Sequence, residues 1–158
     1  MYKIGDQIAH PLHGAGIISA IESRRVNGTN RDYYMMHIPV GDMMVMIPTE
    51  TSTIIGIRPV IDCEKAEAIL ASIPDIEITD NRNWNKRYRE NMQRIKSGDL
   101  LEVAAVIKSL VYRDNERGLS TGERKMLHSA KQIFISELVI AQNIAYEEAE
   151  ERLYSAMG

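Results

Sequence analysis

The sequence predicts an α+β protein of two domains, a small twisted β-sheet followed by a compact bundle of about five α-helices. Two observations carry this. Residues 1–60 hold short runs rich in β-branched, aromatic and methionine side chains, separated by turn residues. Beyond Pro59 the apolar period becomes helical, with capping residues at regular intervals. The boundaries expected from this change are 1–60 and 61–158, with a helix over 61–72 and a loop over 73–81 as the join.

Three β segments stand out: "AGIISAIESRRV" (15–26), "RDYYMMHI" (31–38) and "MMVMI" (43–47). The Asn27-Gly28 pair between the first two is a hairpin signal, because both turn positions need a left-handed backbone. Pro39-Val40-Gly41-Asp42 makes the next turn. Two further short strands are expected near Gln7–His10 and Ile54–Arg58. Gly14 and Gly16 in "HPLHGAG" allow the sheet to bend sharply. Five short strands in about sixty residues imply a strongly twisted, barrel-like sheet.

The helical part begins with Asp62 as N-cap of a helix through Ser72, stopped before Pro74. Ile73–Asn81 reads as a loop. Trp84–Ser97 is the next helix, ending at Gly98. Asp99 with Glu102 three residues later forms a capping box ahead of a helix to about Arg113. The same device recurs at Ser120 and Glu123, before Met126, Leu127, Ala130, Phe134 and Leu138. A last helix, acidic on one side, covers Tyr146–Met157.

Composition excludes much. The chain is 44% hydrophobic and 26% charged, as ordered globular domains are. Its longest apolar run, "IFISELVIAQ", is broken by Glu137, and the first residues lack the apolar core of a signal peptide. One cysteine, Cys63, allows no internal disulfide. The expected location is therefore cytoplasmic, with no membrane contact. His10, His13, His37 and His128 have no cysteine or carboxylate at a ligand spacing, so no metal site is expected. No P-loop, GxGxxG, GxSxG or HExxH occurs, and neither catalysis, a cofactor nor a small-molecule substrate is predicted.

What remains is charge. Between Arg82 and Lys96 six basic residues face a single acid, Glu90, giving a local +5 in a chain of net charge −3. The lone tryptophan, Trp84, opens this segment. On a helical wheel Trp84, Tyr88, Met92 and Ile95 share one arc, with the cations spread over the opposite half. Trp84 then begins a buried stripe. Its place in the first turn, after a polar loop, supports the other reading: an indole projecting beyond the bundle, able to wedge at a base step while neighbouring cations hold phosphates. Composition does not choose between them.

Four ordered blocks, "IGDQIAHPLHGAGIISAIE", "GDMMVMIPTE", "NWNKRYRENMQRIKSGDLLEVAAVIKSL" and "ERGLSTGERKMLHSAKQIFISEL", resemble the CarD/CdnL family of bacterial RNA polymerase-binding transcription regulators. They span nearly the whole chain except about the last fifteen residues. The resemblance implies a Tudor-like N-terminal domain that binds the polymerase β subunit. It also implies a helical domain that meets promoter DNA, without sequence specificity, at the upstream edge of the transcription bubble. There Trp84 would wedge into the minor groove and stabilise the open promoter complex, with Lys86, Arg87, Arg89, Arg124 and Lys125 on the backbone. Arg24 and the strand residues Met44, Val45, Met46 and Ile47 would meet polymerase. Some family members carry an arginine where this chain has Met46, which shifts the expected interface toward apolar packing. Docking on polymerase explains how an acidic chain can use local DNA contacts, since tethering raises the effective DNA concentration. The alternative is a protein–protein adaptor of polymerase with no DNA contact.

Overall fold

The computed structural model describes residues 1–78 and 82–158. Its N-terminal part is a five-stranded antiparallel sheet: β1 (Gln7–His10), β2 (Gly14–Val26), β3 (Thr29–Ile38), β4 (Met43–Pro48) and β5 (Arg58–Pro59), in the order β4-β3-β2-β1-β5. The turns follow from backbone chemistry. Asn27 (φ 52°) and Gly28 (φ 77°) make the tight β2–β3 hairpin, and Gly41 and Asp42 adopt left-handed conformations between β3 and β4. A register shift between Ile18 and Ala20 marks a bulge that increases the twist. One face of the sheet encloses Ile8, Ile18, Tyr34, Met36, Ile38, Ile47 and Ile57.

One expected strand is corrected. Ser52–Ile55 forms a short helix, α1, ended by Gly56 at φ 101°, and only Arg58–Pro59 pairs, with β1. The β-branched pair Ile54-Ile55 suggests a strand by propensity. The chain must instead turn back across the sheet to reach β1, and that requirement overrides local preference.

The helices are α2 (Cys63–Ser72), α3 (Trp84–Lys96), α4 (Leu100–Arg117), α5 (Thr121–Gln142) and α6 (Tyr146–Met157). Asp62, Asn83, Asp99 and Ser120 cap α2 to α5 through side-chain oxygens. Helix α4 runs a turn beyond the expected end near Arg113, to Arg117, and stops at Gly118. The expected loop contains a 3₁₀ turn at Ile73–Asp75, and Lys108 Nζ donates to the carbonyls of Ile73, Pro74 and Ile76. Residues 79–81 of that loop lie outside the described residues. Ile107, Leu110, Phe134, Leu138 and Leu153 centre the helical core. Among the described residues no helix is long and apolar enough to cross a membrane.

Helix α5 also packs across β2, joining sheet to bundle. Ala15 N–H donates to Ser136 Oγ (2.9 Å), and Gln132 Nε2 donates to the Val40 carbonyl. The Arg58 guanidinium grips the buried Glu137 carboxylate through two bonds of 2.6 and 2.8 Å, while its Nε donates to the Gly98 carbonyl. Glu137 also accepts from Ile61 N–H at 3.1 Å. Gly14 (φ 108°) makes room for the Ala15–Ser136 contact, because a methyl group there would run into Ser136 Oγ. These bonds hold the sheet edge and the end of α3 in one fixed relation.

Candidate functional site

Helix α3 starts at Asn83, whose side chain accepts from Lys86 N–H (3.2 Å). Its inward face is Arg87, Asn91 and Ile95. Relative to the arc drawn from the sequence, the helix is rotated by roughly 60° at ~100° per residue. Trp84 is carried to the boundary and remains 42% exposed. Its ring stacks on Tyr88 with centroids 5.1 Å apart and planes 19° from parallel. The indole N–H donates to Ser120 Oγ (3.2 Å). A methyl group added at Gly122 would come within ordinary van der Waals range of both rings. Trp84 is neither a core anchor nor a free probe: one edge is fastened to the first turn of α5, and the remainder is open.

Ser120 is the fastener. Its hydroxyl accepts from Glu123 N–H (3.2 Å) as N-cap of α5, accepts from Trp84, and donates to Glu123 Oε1 (3.3 Å). Both lone pairs and the proton are used. The Glu123 carboxylate, 2% exposed, receives Arg87 Nε at 2.9 Å and Arg87 Nη2 at 3.2 Å, with Arg113 Nε 3.8 Å away. Burial is the largest single influence on Glu123 and pushes its pKa up. The hydrogen bond and charge of Arg87, the charge of Arg113 and the Ser120 hydroxyl together outweigh it and hold the carboxyl below its usual range.

This geometry corrects Arg87. Expected beside Lys86 and Arg89 on a solvated face, it is 7% exposed and directed inward at Glu123. Lys86, Arg89, Arg124 and Lys125 are exposed. The Trp84–Ser120 bond ties the start of α3, which carries Lys86 and Arg89, to the start of α5, which carries Arg124 and Lys125. Sequence reasoning missed the role of Glu123. Its signal was the Ser120–Glu123 capping box, but the partner that redirects the carboxylate is Arg87, 36 residues earlier.

The second surface is the outer edge of the sheet. Strand β4 pairs only with β3 among the described residues, leaving its other edge open. Met44 (54%) and Met46 (45%) are exposed on the outer face, opposite His37 and Met35 of β3. Val45 and Ile47 belong to the other face. Ile47 is 1% exposed in the sheet core, so its side chain, expected at a polymerase contact, is withdrawn, leaving only its backbone at the edge. Arg24, paired with Glu22 at 2.8 Å, lies opposite Arg31 on the part of the β2–β3 hairpin that extends past β4.

His10 and His13 make ordinary contacts. His10 Nδ1 accepts from Leu12 N–H (3.0 Å), and its ring lies 4.5 Å from that of His13. Among the described residues no three His, Cys, Asp or Glu side chains are placed to hold a metal ion.

A sheet with an open edge, fused to a helical bundle that displays a half-exposed indole, defines a two-surface protein rather than an enclosed pocket. Residues 2–61 match the CarD-like/TRCF RID domain, and residues 68–154 match the CarD C-terminal domain. Over 148 residues the chain is 36% identical to a Bacillus subtilis (strain 168) protein named "Putative transcription factor YdeB", covering 94% of this chain and 97% of that one. The chain belongs to the CarD/CdnL family of transcription regulators.

Proposed function

We infer that this regulator docks on the β subunit of RNA polymerase through the β4 edge and stabilises the open promoter complex by presenting Trp84 to the upstream edge of the transcription bubble. The observation that carries this reading is the state of the indole: partly exposed and fixed by Ser120, at the junction of two helix starts whose Lys86, Arg89, Arg124 and Lys125 are exposed. An aromatic ring held at a defined angle loses little freedom when it stacks on a base step, and the cations take the adjoining phosphates. Strand addition at β4 supplies main-chain hydrogen bonds, and Met44 and Met46 supply apolar contact. The action is non-catalytic and works by differential affinity: contacts made only with the opened, kinked junction shift the equilibrium toward it.

The test is the lifetime of open complexes under competitor challenge, with polymerase binding measured in parallel. Trp84→Ala should leave polymerase binding intact and shorten the lifetime. Stacking of ~1–3 kcal/mol corresponds to roughly 5- to 150-fold in the open-state equilibrium. Full stabilisation by Trp84→Ala would reject the wedge. Charge reversal at Lys86 and Arg89 with unchanged promoter effect would favour the adaptor.

A further inference from the structure

We propose that Met44 and Met46 form a redox-sensitive contact, by which oxidation to the sulfoxide releases the protein from polymerase. The inference rests on the β4 docking reading above. Of the nine methionines, Met36 and Met126 are buried, at 0% and 4% exposure. Beyond the first residue, Met44 and Met46 are the most exposed, at 54% and 45%, and both stand on the open-edge strand. Their cross-strand partners are His37 and the half-buried Met35, so two thioethers, Met35 and Met46, face each other across β3 and β4. Ser19 Oγ, which donates to the Met35 carbonyl at 3.1 Å, lies 3.9 Å from Met44 Sδ, which places that sulfur along the outer face. Where an arginine would make a charge contact insensitive to oxidants, this chain commits the edge to soft, oxidisable sulfur.

The oxidant class is a hydroperoxide. A thioether lone pair attacks the peroxide oxygen, the S–O bond forms as the O–O bond breaks, and the departing oxygen leaves as water or an alcohol after protonation. Sulfur is oxidised by two electrons and the peroxide is reduced. The product is a polar, chiral sulfoxide that resists burial against an apolar partner surface, and methionine sulfoxide reductases reverse it. Both side chains lie outside the sheet core, so the fold should survive.

The experiment uses the full chain in a Cys63→Ser background, since that thiol is exposed. Binding to the isolated polymerase β subunit is measured before and after limited hydrogen peroxide treatment, with oxidised positions mapped by mass spectrometry. The expected result is oxidation at positions 44 and 46, binding weakened by about tenfold or more, an unchanged melting temperature, and recovery after treatment with both sulfoxide reductases and dithiothreitol. Met44→Leu with Met46→Leu should bind normally and resist peroxide. Unchanged binding after oxidation at both positions would overturn the switch while leaving docking intact. So would equal peroxide sensitivity in the double-leucine variant. Failure of the unoxidised protein to bind the β subunit would instead reject the docking reading, and the switch with it.

Discussion

Replacing Glu123 by Gln removes one negative charge and almost no volume from the junction of α3, α4 and α5. Glu123 is 2% exposed and its main partner Arg87 is 7% exposed, so water cannot replace the lost carboxylate. Arg87 would then be a buried cation facing a neutral amide, with Arg113 also deprived of the carboxylate 3.8 Å away. Breaking a buried pair from one side costs about 3–5 kcal/mol, a large part of the roughly 5–15 kcal/mol of a whole domain. With a urea m-value of roughly 1–3 kcal/mol/M, the unfolding midpoint should fall by at least about 1 M. Because Trp84 is the lone indole, its fluorescence reports this junction alone, and circular dichroism follows the helices independently. The Glu123→Gln emission should shift to the red as Ser120 and Arg87 compete for the single remaining carbonyl oxygen. Adding Arg87→Met should recover part of the stability, because the buried positive charge is then gone. A loss below about 1 kcal/mol, or no recovery in the double variant, would refute the view that this cluster is dehydrated and structural.

Reversing Lys86 and Arg89 to Glu should leave the unfolding curve unchanged, since both are exposed. It should flatten the salt dependence of promoter binding by roughly 0.9 in log–log slope for each phosphate no longer neutralised, measured by titration at several salt concentrations. Gly14→Ala should destabilise by about 2 kcal/mol or more in urea, because φ 108° strains an L-residue and its methyl meets Ser136 at the sheet–bundle contact. Stability should also fall in acid. Burial, then the charge of His13, depresses the His10 pKa from 6.5 to about 4. Between those values the unfolded chain binds the extra proton, so stability drops as pH falls from about 6.5 toward 4, by up to roughly 1.4 kcal/mol per pH unit. Glu123, depressed below the ordinary carboxylate value of 4.5, adds a further loss once pH falls beneath that value. Urea unfolding at about pH 7, 5.5 and 4 checks the first, and extending it to about pH 3 checks the second.

Much of this protein is set by local chemistry and is therefore legible along the chain. Asn27-Gly28 specifies its hairpin because both residues tolerate a left-handed backbone, and Asp62, Asp99 and Ser120 each start a helix by accepting an N–H two or three residues ahead. The concentration of cations around Trp84 is likewise visible without coordinates. The tertiary structure decided what depends on partners distant in sequence. Periodicity defines an apolar arc on α3, but the angle at which the helix settles depends on Glu123, and that carboxylate draws Arg87 inward and carries Trp84 to the rim. The Ile54-Ile55 pair has strand propensity, yet the path back to β1 made it helical. The same logic fixed the two surfaces relative to each other: Arg58 meets Glu137 across 79 residues because burying that carboxylate is tolerable only with a bidentate cation beside it.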